Sequence, residues 1–342
     1  MALNGFYRYM RLPFTISQSR LCVRGISSSY KLEFTSAHVG TTTSVERHEE
    51  IKNVVVVGAG SMGSGIALDA ARNDFNVVLV DKNAAQLTSC MTLVRRGLER
   101  VVSKKFPDEP RMAKKFTEDT IRNILTSTDA MMAVQNADIV IEAISEDLTA
   151  KQELFADLDE AAPKKTIFAS NTTSLPIAQI ASATKRQDKF GGLHFNPVLM
   201  MQLVEVIKSP FTSNSTYKKL FQFGKDLGKT PIACKDTTAF VVNRLLVPYI
   251  LEAIRLLERG HATLKDIDHA MRLGAGYGHG PFEVADELGL DLVKSIADEL
   301  HIQHPSGDVF KAPDTLNKLV AAGKLGWKSE EGFYSYHKTG RH

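Results

Sequence analysis

Gly58-Ala59-Gly60-Ser61-Met62-Gly63 follows directly on Ile51-Lys52-Asn53-Val54-Val55-Val56-Val57 and opens into Ser64-Gly65-Ile66-Ala67-Leu68-Asp69-Ala70-Ala71-Arg72. The leading apolar run has strand length, and the trailing one reads as a helix. A second apolar run, Val77-Val78-Leu79-Val80, ends on Asp81. Three spaced glycines alone say little. Between a strand and a helix, with an acid at the tip of the next strand, they form the turn of a dinucleotide site. Gly58 turns the chain off the strand. Gly60 lets the backbone approach a pyrophosphate, and Gly63 lets the helix lie close on the sheet. Ala59, Ser61 and Met62 complete the cradle, whose N–H groups and helix dipole face the phosphates. Asp81 would accept hydrogen bonds from the adenosine ribose and repel a 2′-phosphate, which points to NAD rather than NADP.

The chain has 342 residues, long enough for two domains, and 43% of them are hydrophobic. A net charge of +3 gives no argument for nucleic acid, and no apolar run approaches the length of a membrane span. Cys22, Cys90 and Cys234 are too scattered for a disulfide framework or a metal cluster, which fits a reducing compartment. The first thirty-odd residues stand apart. Arg8, Arg11, Arg20, Arg24 and Lys31 precede the first acid, Glu33, and Ser27-Ser28-Ser29 follows most of them. That composition is expected of a mitochondrial transit peptide, so residues 1–48 are assigned to a leader.

From residue 51 to about 207 strands and helices alternate. Strands are expected at 137–143, 166–170 and 203–207, with a helix at 151–162 that ends before Pro163. Residues 84–125 interrupt the rhythm with two charged helices broken around Pro107-Asp108-Glu109-Pro110. Their basic residues read as a solvated face, or as a cationic ledge for a phosphate-bearing substrate. After Cys234-Lys235-Asp236 the pattern is helical. Phe240 to Leu257 is apolar nearly all round, which predicts burial on every side, and Pro248 is expected to kink it. The fold class is therefore α/β. A Rossmann-type, mostly parallel sheet domain (49–235) carries a helical-hairpin insertion, and an all-α C-terminal domain (236–342) follows.

Oxidation of an alcohol by a nicotinamide needs a base for the hydroxyl proton, and histidine titrates in the right range. His194, in Gly191-Gly192-Leu193-His194-Phe195-Asn196-Pro197, lies where ligands meet such a sheet. Glu205 is an acid where a buried aliphatic is expected. It could orient the imidazole, or sit on an edge strand in solvent. Asn171-Thr172-Thr173-Ser174 either hydrogen-bonds a ligand or, at Ser174, caps a helix. Asn243, a lone amide in the apolar helix, contacts substrate or satisfies a neighbouring carbonyl.

Together these motifs resemble L-3-hydroxyacyl-CoA dehydrogenase of mitochondrial fatty-acid β-oxidation. The resemblance runs from about 51 to 336. It also rests on Phe168 to Ser174, Cys234-Lys235-Asp236-Thr237, Val242 to Pro248, Gly280-Pro281-Phe282-Glu283 and Glu331-Gly332-Phe333-Tyr334. It implies a 3-hydroxyacyl-CoA substrate, His194 as general base, Glu205 as its partner, and Thr173 and Asn243 orienting substrate oxygens. It also implies Glu146, Lys151, Thr173, Asn196 and Lys328 near NAD. Gly97, Lys104 and Thr173 fall at coenzyme A positions. A homodimer in the mitochondrial matrix, with no metal, completes the expectation.

The chain also departs from that pattern. Only Phe195 separates His194 from Asn196, where the family has two phenylalanines. In an extended segment a one-residue slip sends side chains to opposite faces. Thr173 and Gly97 each stand in place of a serine. Thr238-Ala239 replaces Pro-Gly, and Gly278 replaces a proline. These departures keep two other readings open. One is a coenzyme-binding paralogue with little or no catalysis, like the related lens crystallins. The other is a dehydrogenase of a non-CoA hydroxy acid, against which the basic hairpin at 84–125 argues.

Overall fold

The computed structural model describes residues 50–196 and 201–336. The expected leader lies outside the described residues. Eight strands form one sheet: β1 (Asn53–Val57), β2 (Asn76–Val80), β3 (Ile124–Ser127), β4 (Ile139–Glu142), β5 (Ile167–Ser170), β6 (Phe190–Phe195), β7 (Leu203–Lys208) and β8 (Thr230–Lys235). Their spatial order is β3-β2-β1-β4-β5-β6-β7-β8. All neighbours are parallel except β6 and β7. The order reverses direction between β1 and β4, the switch point where a nucleotide crevice opens.

The unbroken valines of β1 follow from cover on both sheet faces. Val54 and Val56 pack with Ile66 and Leu68 of α1 (Ser61–Ala71). Val55 and Val57 pack on the other face with Phe155 and Leu158 of α5 (Leu148–Ala161). The helices of this half are α1, α2 (Ala84–Lys105), α3 (Pro110–Arg122), α4 (Ala130–Ala133), α5 (Leu148–Ala161), α6 (Ile177–Ala181) and α7 (Asn214–Asp226). The helices α2 and α3 form the expected hairpin. Arg95, Arg96, Arg100, Lys104, Lys105, Arg111, Lys114 and Lys115 all face solvent there.

The remaining chain is helical: α8 (Val242–Glu258), α9 (Leu264–Gly274), α10 (Pro281–Leu288), α11 (Leu290–Gln303) and α12 (Asp314–Ala321). Val247, Ile250, Leu251 and Ile254 of α8 form its core with Phe282, Val293, Ile296 and Leu316. The expectation that α8 is buried on every side is not met within one chain. Leu245 is 70% exposed. The helix also runs on through Pro248.

β3, α7 and β8 were not foreseen. β3 holds four residues, too few to show a period. β8 carries Pro231 and pairs only with β7, which suits an edge strand.

Candidate active site

The glycine turn has the stereochemistry its sequence demands. Gly58 has φ +109°, and a Cβ there would stand 2.4 Å from the Ala143 carbonyl oxygen. A Cβ on Gly63 would stand 1.8 Å from the Gly58 oxygen, so α1 seats directly on the end of β1. Around Gly60 nothing lies within 4 Å of the added carbon, which leaves open space where a phosphate would approach. No side chain caps α1. Asp81 fastens the turn, since its Oδ2 accepts from the Ala59 N–H at 3.0 Å and its Oδ1 from the Asn83 N–H at 2.9 Å. Each oxygen keeps a lone pair for a ribose hydroxyl.

Register places the other groups at the same edge. Val57 pairs with Glu142, Glu142 with Ser170, and Ser170 with Gly192. His194 lies two residues beyond Gly192. Its direct cross-strand partner in the antiparallel pair is Glu205. The shorter spacing therefore does not turn the two side chains apart. Pairing is regular from Phe195↔Val204 to Gly192↔Ile207, so the missing residue falls in the connection outside the ladder. His194 Nδ1 and Glu205 Oε2 are 2.6 Å apart, and both residues are buried. Glu205 is no edge residue. β8 covers its strand, and its Oε1 accepts from the N–H groups of Val241 at 2.9 Å and Val242 at 3.1 Å. Burial pushes its carboxyl upward, but the His194 bond and charge and those two N–H donors outweigh it, holding the group below the usual carboxylate range.

A second cluster surrounds Lys151. This lysine is buried on α5, with its Nζ 2.5 Å from Glu142 Oε1 and 3.4 Å from Glu146 Oε2. Ser170 Oγ donates to Glu142 Oε2 at 2.6 Å. Glu146 Oε1 collects the loop after β5. It accepts from Thr172 Oγ1 at 2.6 Å, from Thr173 N–H at 2.8 Å and Oγ1 at 2.9 Å, and from the Ser174 N–H at 3.0 Å. Partial burial raises the Glu146 carboxyl, yet the Lys151 charge and these donors prevail and lower it. Ser174 caps no helix. It is Pro176 that precedes α6, whose first two N–H groups donate instead to the Asp236 carboxylate at 2.7 and 2.8 Å. Asn171 ties the clusters together, its Oδ1 accepting from the Phe195 N–H at 3.0 Å.

Thr173 donates its hydroxyl proton to Glu146, so toward a ligand it offers only lone pairs. The buried Nδ2 of Asn196 has no hydrogen-bond partner among the described residues, a donor left for a ligand beside His194. The buried amide of Asn243 sits in the first turn of α8, beside the two N–H groups that hold Glu205. Three other expected residues lie apart. Gly97 faces inward beside Val94 and Leu98 and presents no side chain. Lys104 is solvent-exposed near the end of α2. Lys328 pairs with Asp291 at 2.5 Å in the helical half. Glu142 was not singled out from the sequence, although it too is an acid in an apolar strand run, the signal used for Glu205.

Residues 53–237 match the family model described as 3-hydroxyacyl-CoA dehydrogenase, NAD binding domain. Residues 240–336 match the model of the C-terminal domain of the same enzymes. This chain belongs to the 3-hydroxyacyl-CoA dehydrogenase family. The mitochondrial hydroxyacyl-coenzyme A dehydrogenase of Rattus norvegicus is 53% identical over 287 residues, covering 84% of this chain and 91% of the rat protein. The Sus scrofa enzyme is 48% identical over 319 residues, covering 93% and 98%. Among solved structures, (S)-3-hydroxybutyryl-CoA dehydrogenase from Ralstonia eutropha superposes with a TM-score of 0.78 at 36% identity. It covers 84% of this chain and all of that one. Membership of the 3-hydroxyacyl-CoA dehydrogenase family accounts for the two-domain order and for the coenzyme turn at Gly58–Gly63.

Proposed function

We propose that this protein oxidises 3-hydroxyacyl-CoA with NAD, and that His194 is the general base. The observation that carries the reading is the buried His194–Glu205 pair at the C-terminal edge of the sheet. With Nδ1 donating to Glu205, Nε2 is the nitrogen that takes the substrate hydroxyl proton. The ionised Glu205 stabilises the imidazolium that results. The residues at the turn fit NAD: an open Gly60, an uncapped α1, Asp81 at the ribose position and the spare Asn196 donor. Bound there, NAD supplies the hydride acceptor. Thr173 accepts a hydrogen bond from substrate or coenzyme, and Asn243 donates from the facing helix. Glu146 and Lys151 hold the loop that carries Thr173. We assign coenzyme A phosphate contact to the exposed Lys104, backbone contact alone to Gly97, and a coenzyme contact to Lys328 that would compete with its bond to Asp291.

Mixing the protein with acetoacetyl-CoA and NADH tests this reading. It predicts loss of NADH absorbance, with free 3-keto acids turned over far more slowly. Tight NADH binding without turnover would sink it. Asp81→Ala should weaken NADH binding roughly tenfold or more, as loss of a charged acceptor does, and narrow the preference over NADPH. Calorimetry with both coenzymes measures this.

The relatives named mitochondrial and the arginine-rich, acid-free start support a mitochondrial address. We place the protein in the matrix, with residues 1–48 as leader, 49–235 as coenzyme domain and 236–342 as helical domain. The exposed Leu245, Leu273 (83% exposed) and Tyr277 support a homodimer through the helical half. Sedimentation should show two chains per particle, and Leu273→Glu should shift it toward one.

A further inference from the structure

Between the sheet and the helical half the chain crosses on two residues in the left-handed backbone region. Ala239 has φ +63° and Phe240 has φ +51°. For a bulky residue such as phenylalanine this conformation is an outlier held by its surroundings. Both are buried, and they pack into different cores. Ala239 lies in the helical core, while Phe240 lies among the side chains covering one sheet face. Two further contacts lead from this crossing to the catalytic pair. The Phe240 ring centroid is 5.4 Å from that of His194, with the planes inclined at 48°. The next two N–H groups in the chain, those of Val241 and Val242, both end on Glu205 Oε1.

We propose that Phe240 is a positioning residue for the His194–Glu205 pair, setting its ring against the imidazole while its left-handed backbone turns the following N–H groups onto the carboxylate. The inference rests on the reading of His194 as the base. A backbone in the ordinary right-handed region at 239–240 would aim those N–H groups elsewhere. A ring that turns its face to a protonating imidazole within about 6 Å favours the cation through its quadrupole, and the Phe240 centroid lies within that distance. Among the described residues, titratable groups reach the imidazole directly or through its partner from two strands. Glu205 comes from β7. Cys234 comes from β8 with its Sγ 3.7 Å from Glu205 Oε1, its thiol pushed up to about 12 by burial and the carboxylate. That thiol stays neutral across the working range. Loss of the ring should therefore weaken the imidazolium form of the His194–Glu205 pair.

The test is a titration of the His194 ring nitrogens by NMR in the full chain, with the signal assigned by its absence in His194→Gln. Phe240→Leu should lower the midpoint by about half to one pH unit. The acid limb of kcat/KM for 3-hydroxybutyryl-CoA should follow, kcat should drop roughly tenfold, and KM for NAD should hold steady. Phe240→Tyr keeps the ring and should keep the wild-type midpoint. Stepwise fluorinated phenylalanine at 240 preserves the packing and should lower the midpoint in steps, which serves if the leucine variant folds poorly. An unmoved midpoint across the fluorinated series overturns the proposal. A shifted midpoint in a protein that turns over no substrate would instead keep the ring contact and remove the base.

Discussion

With His194 replaced by glutamine, reduction of acetoacetyl-CoA by NADH should slow about 10²- to 10⁴-fold. Glutamine keeps a polar side chain of similar reach but cannot exchange a proton near neutrality. The coenzyme turn is anchored separately, through Asp81 and the bond from the Gly58 N–H to the Val80 carbonyl, so NADH affinity should change little. Adding Glu205→Gln to His194→Gln should cost little more, because a carboxylate whose work is to hold and charge an imidazole has nothing left to act on. Glu205→Gln alone should still slow the enzyme. The carboxylate would be replaced by a neutral group facing the same ring nitrogen. Stopped-flow NADH traces with all three variants separate these outcomes. Turnover of His194→Gln within tenfold of wild type would assign the proton to another group.

The glycine turn and Asp81 were legible in the sequence because their constraint is local. A positive φ at Gly58, and a Gly63 too close to a carbonyl for any Cβ, are set by a few adjacent bonds. The pairing of His194 with Glu205 was not legible in that way. Facing follows the ladder register rather than the count of intervening residues, and the stretch that absorbs the shorter spacing lies between the strands. Counting suggested opposite faces, and hydrogen-bond pairing placed the residues directly across from each other. Glu146 entered the expectation through resemblance alone. Its grip on Thr172, Thr173 and Ser174 spans at least twenty-six residues of chain, and no local pattern announces it. For α8, the apolar pattern correctly gave a helix with a buried face. It could not tell which residues a single chain buries, and so it missed the exposed flank at Leu245.

Replacing Lys151 with methionine should destabilise the protein by about 3–5 kcal/mol in urea unfolding, far more than loss of a surface ion pair. Methionine has similar bulk, so packing changes little. The charge is what matters. Lys151 is 1% exposed and Glu142 is 0% exposed, and Lys151 Nζ is the cation beside Glu142 Oε1. The Ile144 N–H and the Ser170 hydroxyl still donate to Glu142, at 2.8 Å and 2.6 Å, but they cannot neutralise it. In the variant, Glu142 would take up a proton more readily when folded than when unfolded. The folded state would then bind more protons, so the penalty should shrink as pH falls and grow as pH rises. Glu142→Gln in the same chain should recover part of the loss. Coenzyme affinity should fall too, because Glu146 loses the cation that stabilises its charge while it holds the Thr173 loop. A loss below about 1 kcal/mol at neutral pH, or one that does not vary with pH, would mean that solvent reaches this cluster and that its charges do not hold the loop.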